Sequence, residues 1–401
     1  MESAIIIGAK GFVGRTLASK IRSISSSCIL FCLDIDFSNS NSSNPSEISN
    51  KNNNHHHHHY YFPCDIRDPI QVYTSFQNIS TILQNLQISS KHVILFHVAS
   101  YGMSSAEMVM RQQTYQVNVL GTQHIVETCK LFHFTYIVYT STVNVVFGGQ
   151  VIQNGKEEDF TSYYYPNHTD EYSKTKGIAE QYLLQQDPRI IKAVAIRSCA
   201  IYGIGEERHF PRIIQYFSQG FDRIQIGRQT YQDWIHVEDL VDAHIAAAMG
   251  LLSNPIIVQG QAYFVSEGYP CSTMEMMDPF RRRQKQQQQQ QSKHTSTHDT
   301  QQDHPISSIH IPVWIAYILA FFLEYLFLFL YRLGLHRKGH DGGILAMLVQ
   351  GPLMTRAEVN KVAITHYFSI EKIKRDLKWV PKVHPVKGRE ALYAYYKRKD
   401  L

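Results

Sequence analysis

Residues 4–34 read AIIIGAKGFVGRTLASKIRSISSSCILFCLD, and their order decides the fold. Ala4 to Ile7 is a short apolar run of the kind that forms a buried strand. It runs straight into Gly8, Gly11 and Gly14, then a helical pattern, then a second apolar run from Cys28 to Leu33 that stops at Asp34. Strand, glycine turn, helix, strand and acid make a βαβ unit that holds a dinucleotide. Glycines are needed in the turn because a side chain would stand where the pyrophosphate lies. The helix N-terminus supplies amides and a partial positive charge for it. Asp34 stands the roughly 20 residues past the glycines at which an acid bonds the adenosine ribose.

Outward from this unit, strands and helices keep alternating. VILFHVAS (93–100) reads as a buried strand and YQVNVLGTQHIVETC (115–129) as a helix. YIVYTST (136–142), the helix DEYSKTKGIAEQYLL (170–184) and the strand from Ala193 to Arg197 follow. That alternation predicts an α/β chain with a doubly wound parallel sheet. On the helix, Tyr172 and Lys176 stand four apart and so share a face. A neighbouring ammonium favours the phenolate, which predicts a lowered tyrosine pKa and a general base that works near neutral pH. The same spacing also arises on surface helices. What favours catalysis is the glycine turn, the acid, and Thr142 at a strand's C-terminal end, where open α/β sheets bind ligands. Strand packing is the competing role for Thr142.

The composition excludes several classes. The 401 residues are 44% hydrophobic with a net charge of +5, enough for a large core and without a polybasic arm for nucleic acid. Six cysteines show no paired spacing, so reduced thiols in a reducing compartment are expected, with no structural zinc. No signal peptide is expected, since the chain enters an apolar strand at Ala4. Two low-complexity tracts interrupt the pattern. Residues 38–60 are rich in Ser and Asn and end in the histidines 55–59; a loop insertion is preferred to a metal site. Residues 281–304 are a glutamine-rich linker.

The ordered motifs resemble the extended short-chain dehydrogenase/reductase superfamily. They are GAKGFVG (8–14), Asp34, CDIRD (64–68), FHVAS (96–100), NVLGT (118–122), YTST (139–142), YSKTK (172–176), RSCAIYG (197–203), DWIHVEDLVDAHIAA (233–247) and THYFSIEKIKRDLKWVPK (365–382). YTSTVNVVFGG, GIGEERHFPRII and PLMTRAEVNKVAITHYFS are similar to the branch of 3β-hydroxysteroid dehydrogenase and sterol-4α-carboxylate 3-dehydrogenase. The resemblance implies an NAD-binding Rossmann domain over 1–200 with a smaller C-terminal substrate domain, built from 201–280 and 351–401. It implies that Gly8, Gly11 and Gly14 cradle the pyrophosphate, Asp34 bonds the ribose, and Asp65 and Ile66 line the adenine pocket. Ala99 and Ser100 would approach the cofactor, with Ser198 and Ala200 near the nicotinamide. Thr142 would take the catalytic Ser/Thr place, Tyr172 would be the base, and Lys176 would tune it and bond the nicotinamide ribose. Lys10 in the turn would attract a 2′-phosphate, but the Asp34 carboxylate repels one, so NAD is expected over NADP.

Two departures from the superfamily pattern stand out: Ile7-Gly8-Ala9 replaces Thr-Gly-Gly, and Arg197-Ser198 replaces Arg-Pro. The implied reaction is oxidation of a 3β-hydroxysteroid or sterol to the 3-ketone, with isomerisation or decarboxylation afterwards left open. A nucleotide-sugar epimerase or dehydratase, or a catalytically silent NAD-binding regulator, are the alternatives. The oligomeric state is left open, a homodimer included.

The run IPVWIAYILAFFLEYLFLFLY (311–331) is long enough, at ~1.5 Å per residue, to cross a hydrocarbon core of ~30 Å. Its one charge, Glu324, would cost about 2.5–3.5 kcal/mol at a helix centre. A full span would strand the closing segment on the far side, so monotopic or re-entrant attachment is expected. An endoplasmic-reticulum membrane with the catalytic domain in the cytosol is the expected location.

Overall fold

The computed structural model describes residues 1–39, 46–47, 59–103, 105–160, 168, 170–280, 309–335 and 351–399. Seven parallel strands form the central sheet: β1 (Ser3–Ile7), β2 (Ile29–Asp34), β3 (His59–Pro63), β4 (Ile94–His97), β5 (Tyr136–Thr142), β6 (Lys192–Ser198) and β7 (Ala262–Val265). Their order is β7-β6-β5-β4-β1-β2-β3, with Ser46–Glu47 antiparallel to β3 at the edge. The order reverses between β1 and β4, the switch point at which such sheets open a crevice at their C-terminal ends.

Each strand feeds both faces. Ala4 and Ile6 of β1 join one core with Leu17 and Ile21 of the helix Phe12–Ile24 and Leu240 and Leu251 of the helix Val237–Ser253. Ile5 and Ile7 join the other, with Phe76 and Ile79 of Pro69–Asn85, Ile125 of Gly121–Leu131 and Leu183 of Glu171–Leu184. Two-sided burial is why these strands read as continuous apolar runs rather than alternating ones.

The expected insertion is corrected at its end. His59 and Tyr60 are not loop but the start of β3, where Tyr60 stacks on Phe31 with ring centroids 5.3 Å apart. The pairing of His59 with Leu30 and Tyr60 with Phe31 supplies the backbone partners that a polyhistidine context hides. Histidines 55–58 and the linker 281–304 lie outside the described residues. All six cysteines are free and buried.

The C-terminal segment returns to the main body. His366–Phe368 pairs with Ile152–Gly155, and Ile370, Ile373 and Trp379 join the same core as Ala4 and Ile6 of β1, packing on the side of the sheet that β7 edges. The long apolar helix runs from Val313 to Arg332. The segment before it, Ile309–Ile311, pairs with Ile224–Ile226. After it comes the helix Arg356–Ala363, against which it packs through Ala316 and Ala320 onto Val359.

Candidate active site

The glycine turn is built as the sequence requires. Gly8 ends β1 with φ +89°, and a Cβ there would lie 2.8 Å from the backbone N and Cα of Ala99. A side chain on Gly14 would collide with the Gly8 carbonyl. Gly11 is the N-cap of the helix Phe12–Ile24, and no side chain caps it. The cradle is therefore one that any Cβ would fill, which fits a pyrophosphate against backbone amides. Asp34 closes β2, and its Oδ2 accepts the Lys10 N–H at 2.9 Å. The Lys10 ammonium donates to the Asp36 carbonyl at 2.9 Å and lies over the Phe37 ring.

The other expected cofactor contacts fall on the same C-terminal edge of the sheet. Ala99 and Ser100 follow β4. Ser198 ends β6 and donates to the Ser141 carbonyl at 3.2 Å, and Ala200 begins the short strand Ala200–Tyr202. Asp65 sits beyond β3, its carboxylate held by Arg67 at 2.6–3.0 Å. Ile66 is buried, packs against Gly121, and its carbonyl meets His124 Nδ1 at 2.9 Å.

Thr142 is the last residue of β5. It is buried, and its Oγ1 accepts the Asn144 N–H at 3.3 Å. Tyr172 and Lys176 share the buried face of the helix Glu171–Leu184. The Tyr172 hydroxyl faces Ser100. Asn118 keeps that loop against the helix Glu171–Leu184. Its amide donates to the Tyr101 carbonyl at 2.9 Å and to Thr175 Oγ1 at 3.0 Å, and its oxygen accepts the Tyr101 N–H at 2.9 Å. Asn118 lay within a quoted motif, but nothing in its spacing revealed this bridge.

One electrostatic expectation is corrected. The i,i+4 spacing predicts that Lys176 lowers the tyrosine pKa, yet burial, with the Asp170 carboxylate next, pushes the Tyr172 phenol up. Lys176 does not offset this, because its stem reaches elsewhere. Lys176 Nζ donates to the Thr140 carbonyl at 2.6 Å and lies 4.0 Å from the Tyr139 ring centroid. Burial brings the Lys176 ammonium down to about 7, against the opposing pull of Glu180. His97 is pushed down to about 3 by burial and then by Lys176, so it is a neutral neighbour of the site.

Glu180, on the same helix, forms a fully buried pair with Arg197 of β6 at 2.7 Å and also accepts from Ser141. It locks the helix Glu171–Leu184 to the strands that carry Ser141 and Ser198.

With this geometry in place, the comparisons are informative. Residues 5–294 match the model of the 3-beta hydroxysteroid dehydrogenase/isomerase family. The chain belongs to this family. Membership places it among oxidoreductases of the 3β-hydroxysteroid dehydrogenase, short-chain dehydrogenase/reductase type. The mouse (Mus musculus) short-chain dehydrogenase/reductase family 42E member 1 is 33% identical over 392 residues, covering 95% of this chain and 84% of that protein. A decarboxylating sterol-4-alpha-carboxylate 3-dehydrogenase of Schizosaccharomyces pombe is 30% identical over 177 residues, covering 44% of this chain and 50% of that one. The NAD complex of a dTDP-glucose 4,6-dehydratase from Bacillus anthracis superposes with a TM-score of 0.57 at 15% identity, over 100% of this chain and 98% of that one. At that identity the likeness establishes the fold alone.

Proposed function

We propose that the protein is an NAD-dependent dehydrogenase that oxidises the 3β-hydroxyl of a steroid or sterol to the 3-ketone. The observation that carries this reading is the buried Tyr172 phenol, which faces Ser100 at the sheet edge that also holds the glycine cradle. Gly8, Gly11, Gly14 and Asp34 would hold the dinucleotide, with Ser198 and Ala200 beside its nicotinamide. Bound there, the nicotinamide supplies the hydride acceptor. Tyr172, as the phenolate, would take the substrate hydroxyl proton, Thr142 would orient the same oxygen, and Lys176 would supply positive charge from the same helix face, which favours that phenolate. The Asp34 carboxylate at the end of β2 favours a free ribose 2′-hydroxyl, and Lys10, drawn off onto Asp36 and Phe37, offers a 2′-phosphate little. The fungal relative named for a sterol-4-alpha-carboxylate substrate supports a sterol over a sugar.

The apolar helix supports a lipid-borne substrate. Its small residues and its one acid face the protein. Ala316, Ala320 and Glu324 are buried, and Glu324 accepts from Arg356 N at 2.6 Å and Arg356 Nε at 2.9 Å. Apart from the buried Phe327, its aromatic side chains face outward, with Trp314 66%, Phe322 64% and Phe329 59% exposed. Glu324 thus carries no charge into the outward face, and the flanking strand and helix both return to the same body. This supports monotopic attachment to a single leaflet. The free, buried cysteines suit a cytosolic face of the endoplasmic reticulum. Phe322→Lys with Phe329→Lys is expected to abolish co-flotation with phospholipid vesicles while the fold is kept. Flotation equal to wild type would remove the attachment claim.

The test of the activity is NADH formation by the purified protein with 3β-hydroxysteroids and 4α-carboxysterols, beside product analysis with UDP-sugars, whose epimerisation or dehydration leaves no net NADH. Turnover is expected with a steroid or sterol. Conversion of the UDP-sugars alone would replace this reading with the epimerase one.

A further inference from the structure

The eight-residue helix Arg356–Ala363 is a hub of charge. A capping box between Thr355 and Glu358 fixes its start. Arg356 pairs with Glu324 of the apolar helix, Glu358 with Arg212 of the helix Phe210–Ser218, and Lys361 with Asp170 at the start of the catalytic helix. Asp170 is the N-cap of that helix; its Oδ1 accepts the Ser173 N–H at 2.7 Å. Lys361 Nζ lies 3.0 Å from Asp170 Oδ2 and 5.9 Å from the centroid of the Tyr172 ring. The approach to Asp170 is a charge contact without the alignment of a hydrogen bond. Both side chains are largely buried, 15% and 4% exposed, so water screens the pair little.

We propose that Lys361 is a positioning residue for the catalytic tyrosine: from a helix outside the nucleotide-binding half, it neutralises Asp170 and sets the charge that the Tyr172 phenol meets. This rests on Tyr172 being the base. The other groups that face the phenol are Glu107 from the turn Ser105–Val109, Arg208 from the segment before Phe210, Tyr139 from β5, and neutral Ser100. Glu107 and Arg208 pair with each other at 3.5 Å, which leaves Asp170 and Lys361 as the pair whose balance decides the local field. Burial works to raise the Asp170 carboxyl, but Lys361 and Ser173 outweigh it and hold it below the usual range. Asp170 is accordingly charged, and without Lys361 its full charge would act on the phenol. An opposite or like charge at this range moves a pKa by about 1–3.

The experiment uses the full chain in four forms: wild type, Lys361→Met, Asp170→Asn and the double variant. Two readouts are taken, the pH profile of kcat/KM and the titration of the Tyr172 resonance in tyrosine-13Cζ-labelled protein with NAD, assigned by its loss in Tyr172→Phe. Lys361→Met is expected to move the Tyr172 midpoint up by at least about one pH unit, and Asp170→Asn to move it down. The double variant returns close to wild type, and Lys361→Arg leaves it in place. Asn still caps the helix, so Asp170→Asn reports the charge alone. If Lys361→Met does not fold, Asp170→Asn and the double variant still give the sign. Midpoints that stay put, or that shift in the same direction in both single variants, overturn the proposal. The NMR titration needs no turnover, so it is read even where every substrate of the activity panel fails.

Discussion

Tyr172→Phe lowers turnover by roughly 10²–10⁴-fold, the range that a positioned acid/base group contributes. The substitution is a narrow one. The ring stays buried, Lys361 still lies over it, and what is lost is the hydroxyl that faces Ser100. Losing one hydrogen bond of such a hydroxyl costs about 1 kcal/mol of stability, too little to unfold the chain. NAD uptake survives because the cradle at Gly8, Gly11 and Gly14 belongs to other elements. The paired measurements are the initial rate of NADH formation and nucleotide binding by quenching of protein fluorescence. A variant that turns over at the wild-type rate removes Tyr172 from the chemistry while leaving the fold assignment intact.

Glu180→Ala destabilises the protein by about 3–5 kcal/mol, the cost of stripping one partner from a buried ion pair. Glu180 and Arg197 expose 0% and 3% of their side chains, and the guanidinium forks onto the carboxylate at 2.7 and 3.1 Å. Without the glutamate, the arginine charge sits between strand and helix against Phe264, with its principal counter-ion gone. The loss reaches the site as well. Glu180 is what holds the Lys176 pKa up against burial, so its removal makes the ammonium easier to discharge. Chemical denaturation reads the stability, and Glu180→Met combined with Arg197→Met recovers most of it, because matched apolar side chains replace a buried pair at little cost. A Glu180→Ala midpoint equal to wild type would show that the pair does not bind helix to sheet.

What could be read from the sequence was what local chemistry dictates. The run from Ala4 to Asp34 shows its strand, turn and second strand because each is set by neighbours in the chain, and the structure bears out the doubly wound sheet. Tyr172 and Lys176 share a helix face as their spacing requires. The direction of the tyrosine shift could not be read, because it depends on how deeply the fold buries the phenol and sets Asp170 beside it, while the lysine stem that spacing puts nearby ends on the Thr140 carbonyl of another strand. The strand His59–Pro63 was hidden because its start borrows the composition of the histidine run, while its partners lie in β2. Glu324 was legible as an anomaly in an apolar run, but its partner Arg356 was not, nor was the pairing of Lys361 with Asp170. These contacts join residues far apart in sequence, and no periodicity encodes them.

The central claim is that this site takes hydride from a secondary carbinol of a sterol and proton from its hydroxyl through Tyr172. Its most direct test supplies the purified protein with NAD and a 3β-hydroxysterol carrying deuterium at C3, and measures the mass of the recovered nucleotide and the sterol. The expected result is singly deuterated NADH together with the 3-ketone, both formed at least about 10²-fold more slowly by Tyr172→Phe. Recovery of the sterol with its deuterium still at C3 and the nucleotide unlabelled, from protein that binds NAD, would contradict it.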